Sequence, residues 1–292
     1  MKLCIISRET VNNHFLYLSL LCNNKFELEY LLYTRRRFFM KNGNYNIVIR
    51  LGIVFFVFIF ILIIVNIKNV GITNVFSPTK DLPIYSVGRE DKKLAITIDA
   101  AWGDEFTLDI LDTLDKYKVK ATFFLVGFWV DKYPNQVEEI NKRGHEIGNH
   151  SSTHPNMSKL SREQIINELS LTDEKITKIT NKKPNLFRPP FGDYNDLLVK
   201  TARELDYYTI QWDIDSLDWK ELGVEPVIDK VVKNASSGSI ILFHNNAKYI
   251  KEYLPVIIQR LQEKGFELVP LSELIYKDNY QIDNSGRQIL LK

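Results

Sequence analysis

From residue 93 onward the chain repeats one pattern: a short stretch that reads as a strand, mostly apolar, then a longer segment whose apolar positions recur every three or four residues. The short runs are 94–99 (LAITID), 121–126 (ATFFLV), 145–149, 186–188, 208–212, 239–244 (SIILFH) and 267–270. The longer segments, 105–117, 131–143, 161–179, 196–205, 226–234, 249–264 and 271–276, are expected to be helical. Ser161, with Gln164 three residues on, forms a capping box for one of them. Strands that are apolar at nearly every position must be buried on both faces. Alternation with helices therefore predicts an α/β domain with a parallel sheet. Seven or so such units favour a barrel over an open sheet.

The residues suited to chemistry stand where these strands end. His150 and His154 follow the run at 145–149 within GHEIGNHSSTH at 144–154. At i,i+4 spacing on a helical turn, both imidazoles face one way and can share a divalent cation. Two unrelated surface histidines are the plain alternative. The chain has only five histidines, and another, His244, closes the run SIILFH. Asp99 closes LAITID; it can serve as a general base or merely cap the next helix. Arg188 opens a rigid Arg-Pro-Pro-Phe-Gly turn and can hold a carboxylate in a bidentate fork. Asp218 and Trp219, in 215–219 (DSLDW), pair an acid that could orient a histidine with an indole that could stack on a sugar; an ordinary polar loop is the alternative. Catalytic groups at strand ends are how a (β/α) barrel builds its active site.

The N-terminal third is different. Residues 51–65 (LGIVFFVFIFILIIV) carry no polar side chain, and Arg50 and Lys68 bracket the run. It falls slightly short of the ~20 residues that span a bilayer, but flanking cations can snorkel. Arg35, Arg36, Arg37, Lys41 and Arg50 all precede it, so the positive-inside rule places the N-terminus in the cytoplasm and the rest outside. The expected organisation is a cytoplasmic segment at 1–46, a transmembrane anchor at 47–68, a linker at 69–89, a catalytic domain at 90–277 and a tail at 278–292. Translation is expected to start at Met40, with a genuine cytoplasmic extension as the alternative. Both cysteines, Cys4 and Cys22, precede the apolar run, which leaves the large domain without a disulfide framework or a cysteine nucleophile. A net charge of +2 gives no electrostatic case for nucleic acid.

Five motifs in order, TIDA at 97–100, HSSTH at 150–154, RPPFG at 188–192, DSLDW at 215–219 and LFH at 242–244, resemble the polysaccharide deacetylase family. This is carbohydrate esterase family 4, whose catalytic unit is the NodB homology domain. The resemblance covers about residues 90–276. It is similar in detail to a sporulation-associated branch through TIDAAWGDE, IQWDIDSLDW and LFHNNAKY. The resemblance implies a deformed (β/α)7 barrel and a metal-dependent N-deacetylase of cell-wall glycan, most plausibly peptidoglycan. His150 and His154 would bind the metal, zinc or cobalt, with Asp99 as general base and Arg188 holding it. His244 would be the general acid, tuned by Asp218. Trp219, Pro190 and Phe191 would line the groove, and Leu242 the pocket for the acetyl methyl. The family's first motif has two adjacent aspartates, the second being the third metal ligand; here that position is Ala100. A non-catalytic glycan-binding or wall-assembly protein is the rival function.

Overall fold

The computed structural model describes residues 51–61 and 81–291. The chain divides into two units, Met1–Pro78 and Thr79–Lys292. In the first, residues 51–61 form a helix whose apolar side chains, Phe55, Phe56 and Phe60 among them, are exposed. Among the described residues no helix is long and apolar enough to cross a membrane. Residues 1–50, the remainder of the expected anchor at 62–68, and most of the expected linker lie outside the described residues.

The second unit is α/β, built on a curled parallel sheet. Its strands are β1 (Ser86–Val87), β2 (Lys93–Ala100), β3 (Thr122–Leu125), β4 (Glu146–Asn149), β5 (Leu186–Phe187), β6 (Tyr208–Thr209), β7 (Ile214–Asp215), β8 (Ile240–His244) and β9 (Glu267–Leu268), with the hairpin β10 (Tyr280–Ile282) and β11 (Arg287–Leu290). The main sheet runs β6-β5-β4-β3-β2-β8-β7, and β9 pairs with the start of β2. All its ladders are parallel. Among the described residues no ladder joins β6 to β7, so the curl stays open there.

Both faces of β2 are buried, and period two sorts its residues. Leu94, Ile96, Ile98 and Ala100 join the apolar layer between sheet and helices, together with Ile110, Val231 and Ile257. Ala95, Thr97 and Asp99 face inward, in register with Ile240, Leu242 and His244 of β8. The interior is thus apolar at its base, with Ala95, Phe124, Leu186 and Ile240, and polar at the C-terminal end of the strands. Gly148 is required by this packing: a Cβ there would stand 2.6 Å from the Phe124 ring.

The helices cover the outside. They are α1 (Thr107–Lys116), α2 (Gly127–Lys132), α3 (Pro134–Lys142), α4 (Arg162–Thr180), α5 (Asp196–Glu204), α6 (Val224–Asn234), α7 (Ile250–Glu263) and α8 (Leu271–Leu274). The capping box of α4 is present in both directions. The segment expected as one helix at 131–143 is two, because Pro134 starts a new helix after Tyr133.

Three stretches differ from the expectation. Residues 208–212 are not one strand: after β6 the chain crosses to the opposite edge of the sheet and forms β7. Asp213 anchors the crossing, its carboxylate accepting from Ile240 N–H at 2.7 Å and Ser239 Oγ at 2.8 Å. Ile84 and Val87, in the stretch expected as linker, are buried in the core. Residues 280–290, in the expected tail, form the hairpin that pairs with β1.

Candidate active site

A cavity of about 520 Å³ opens at the C-terminal end of the strands. Asp99, His150, His154, Phe191, Asp218, Trp219, Leu242 and His244 all line it. Every motif singled out in the sequence therefore converges on one place.

Asp99 closes β2 and is nearly inaccessible. Arg188 Nη1 donates to its Oδ1 at 2.7 Å. The guanidinium is wholly buried, donates through Nη2 to the Gln211 carbonyl at 3.1 Å, and lies 4.2 Å from the Phe124 ring centroid. Arg188 stands beneath the cavity rather than on its wall. Burial pushes the Asp99 carboxyl up, but the Arg188 charge and hydrogen bond, helped by His150 and His244 once these are protonated, outweigh it and hold Asp99 below the usual carboxylate range.

His150 Nδ1 lies 2.7 Å from the Arg188 carbonyl, which can only accept. The proton is therefore on Nδ1, and Nε2 presents its lone pair 3.5 Å from Asp99 Oδ2. Burial lowers its pKa, as it does for His154, which drops to about 4 through burial and then the neighbouring His150. Both imidazoles are neutral at pH 7, with ring centroids 5.0 Å apart.

The helical turn expected to align the two histidines is absent. Ser151 and His154 have φ of 68° and 57°, which a right-handed helix excludes. A held turn replaces it. Ser151 N–H donates to Asn149 Oδ1 at 2.8 Å, and His154 N–H to Ser151 Oγ at 3.0 Å. The Glu168 carboxylate of α4 accepts from Ser152 N–H and Thr153 N–H, both at 2.8 Å.

His244 and Asp218 form a second pair, with His244 in register beside Asp99. His244 Nδ1 lies 2.7 Å from Asp218 Oδ1, while Asp218 Oδ2 accepts from His244 N–H at 2.8 Å and Tyr253 OH at 3.0 Å. Burial pulls the imidazole down, but the Asp218 hydrogen bond and charge outweigh it, so His244 titrates above an ordinary histidine. Leu242 sits one layer below it. Phe191, with a φ of 60°, projects an exposed ring edge-on to His154 at 4.4 Å. Pro190 does not line the cavity; it is buried and begins the turn Pro190–Gly192 that presents Phe191.

The donor chemistry fits a divalent transition metal in part. Two neutral imidazoles suit it, and His154 Nδ1 is buried with no hydrogen-bond partner among the described residues. A third protein ligand is lacking: among the described residues no group of three or more His, Cys, Asp or Glu side chains could hold an ion. Ala100 is packed in the helix-facing layer, opposite to Asp99, and Asp104 is engaged by Gln136 Nε2 at 3.0 Å.

Sequence reading passed over Trp102, Glu221, Asn246 and Lys248, which also line the cavity. Trp102 stands three residues beyond Asp99, and its place just past a strand end was the available signal.

The family model described as polysaccharide deacetylase matches residues 86–210. A peptidoglycan-N-acetylglucosamine deacetylase of Bacillus cereus is 40% identical over 196 residues, covering 65% of this chain and 92% of that one. The peptidoglycan-N-acetylmuramic acid deacetylase PdaA of Bacillus subtilis is 31% identical over 202 residues, covering 68% and 77%. Among solved structures, a carbohydrate esterase family 4 pseudoenzyme from Bacillus anthracis superposes with a TM-score of 0.64 at 38% identity, covering 66% of this chain and 68% of that one. Together with the cavity's assembled motifs, these relations make the chain a member of the polysaccharide deacetylase family.

Proposed function

We propose that this protein is a membrane-anchored, extracytoplasmic N-deacetylase that hydrolyses N-acetyl groups of cell-wall peptidoglycan and releases acetate. One observation carries this reading: a carboxylate held by a buried arginine stands beside an imidazole held by a buried aspartate, on adjacent strands at one cavity. Asp99 takes the proton of the attacking water. Protonated His244, with its pKa raised through Asp218, delivers a proton to the leaving amine nitrogen. Leu242, at the cavity floor, packs the acetyl methyl, and Trp219 stacks on the sugar. His150 and His154 would hold a divalent metal, zinc or cobalt, whose bound form supplies Lewis-acid polarisation of the amide carbonyl. The anchor rests on the apolar run at 51–65 with cations preceding it. A sporulation role rests on the branch resemblance.

The second reading is a non-catalytic glycan binder. The inward-facing Asp99 and the helix-facing Ala100 favour it, since the position expected to give the third ligand points away from the cavity. Acetate release from N-acetylated wall glycan by the full chain decides, run with zinc, cobalt or EDTA beside His150→Ala and Ala100→Asp. The enzyme reading expects release that EDTA and His150→Ala abolish. An inert wild type with every metal that still binds the glycan establishes the binder reading, and Ala100→Asp checks whether a carboxylate at that position reaches the site at all.

A further inference from the structure

Trp102 is exposed over 55% of its surface yet stands on a fixed loop. The carbonyl of Gly103, the next residue, accepts from two side chains at once, Trp129 Nε1 at 2.6 Å and Asn245 Nδ2 at 2.8 Å. Both donors come from the body of the domain, Trp129 from α2 and Asn245 from the residue after β8. Gly103 takes a φ of 63°, a left-handed bend that favours glycine. The indole is thereby held edge-on to His154 at a centroid distance of 4.9 Å, beside Phe128 at 6.5 Å. A large, water-exposed aromatic on a doubly pinned loop is a costly arrangement for the free protein, and it is the form a stacking platform takes.

We propose that Trp102 is a substrate-binding residue that stacks on a hexose ring next to the acetylated sugar, making a glycan chain, not a single sugar, the preferred ligand. The inference rests on the deacetylase reading for its occupant, but not on catalysis. Trp102 follows β2 and Trp219 follows β7, and these two strands flank β8. Strands spaced about 4.8 Å apart put the two loops' origins roughly 10 Å apart, a longer span than one pyranose ring. Both indoles line the same cavity, so a ligand touching both is at least two sugars long.

Calorimetric titration of the full chain in detergent with N-acetylglucosamine and its β-1,4-linked dimer, tetramer and hexamer tests this. Wild type should bind the tetramer more tightly than the monomer. Trp102→Ala should weaken tetramer binding about tenfold and flatten the length dependence, and Trp102→Phe should recover part of it. If acetate release is measurable, Trp102→Ala should raise KM on the tetramer with kcat little changed. Equal tetramer affinity in wild type and Trp102→Ala overturns the inference, as does a wild type that binds none of these sugars. Length-dependent binding without acetate release upholds it while removing the enzyme reading.

Discussion

Replacing Arg188 by methionine isolates the buried ion pair beneath the site. Methionine keeps most of the apolar contact with Phe124 and Trp212 but removes the charge and the 2.7 Å bond to Asp99. Asp99, about 6% exposed, is left as a buried carboxylate without its cation. Breaking a buried pair from one side costs about 3–5 kcal/mol, because the orphaned charge is no longer compensated. For a domain of this size that lowers the melting temperature by roughly 6–20 °C. Removing both partners in Asp99→Leu/Arg188→Met should restore most of the loss, since no charge is then buried.

The pH dependence gives a second signature. In the wild type the Asp99 carboxyl is held below its unfolded value of about 3.9, so its contribution is complete above that pH and lost as pH falls further. In Arg188→Met, burial is the largest remaining influence and raises the carboxyl above its unfolded value. The variant's deficit is then greatest near neutrality and shrinks as pH falls towards 4. Urea unfolding of both variants at pH 7 and pH 4.5 measures this. A single-variant loss below about 1 kcal/mol, or a double variant no more stable than the single, refutes the argument that the pair is held by mutual compensation.

Other outcomes follow from the same structure. His145, at the far end of β4 from the active site, accepts from Ala121 N–H at 3.2 Å, and burial lowers its pKa to about 4. Its neutral form stabilises the fold fully above about pH 6.5 and progressively less as pH falls towards 4, about 3 kcal/mol in all, so His145→Gln should flatten the acid limb of a stability–pH curve. Asp218→Asn removes the group that raises His244, and the alkaline limb of the rate profile should move to lower pH, with the rate at pH 7 falling roughly tenfold or more; an unmoved limb argues against His244 as the acid. Phe191→Gly relieves a left-handed backbone at an exposed position, so unfolding should show a gain of about 1 kcal/mol while KM on glycan rises.

The site was largely legible because its residues stand at the ends of runs whose burial is written in composition. LAITID and SIILFH announce strands, and the polar residue closing each must emerge where the strand leaves the core. Asp99, His150, Arg188 and His244 were found that way. The i,i+4 spacing of His150 and His154 suggests a helical turn, but a loop with two left-handed residues does the converging; its anchor, Glu168, sits on an expected helix, and no local signal links that carboxylate to the loop. The crossing from β6 to β7 was also invisible, because 208–212 is as apolar as a single strand and only Asp213's bonds to β8 show the turn away.

By itself the sequence determined the α/β class, the apolar N-terminal run and the identities of the polar residues at the strand ends, since local period and burial depend on neighbours in the chain. Register alone decided which of those residues meet: Arg188 reaches Asp99 across 89 positions, and Asp218 meets His244 only because β7 lies beside β8. The same pleat turns Asp99 into the cavity and Ala100 into the helix layer, a consequence of the two-residue period becoming physical only when both faces of β2 are covered.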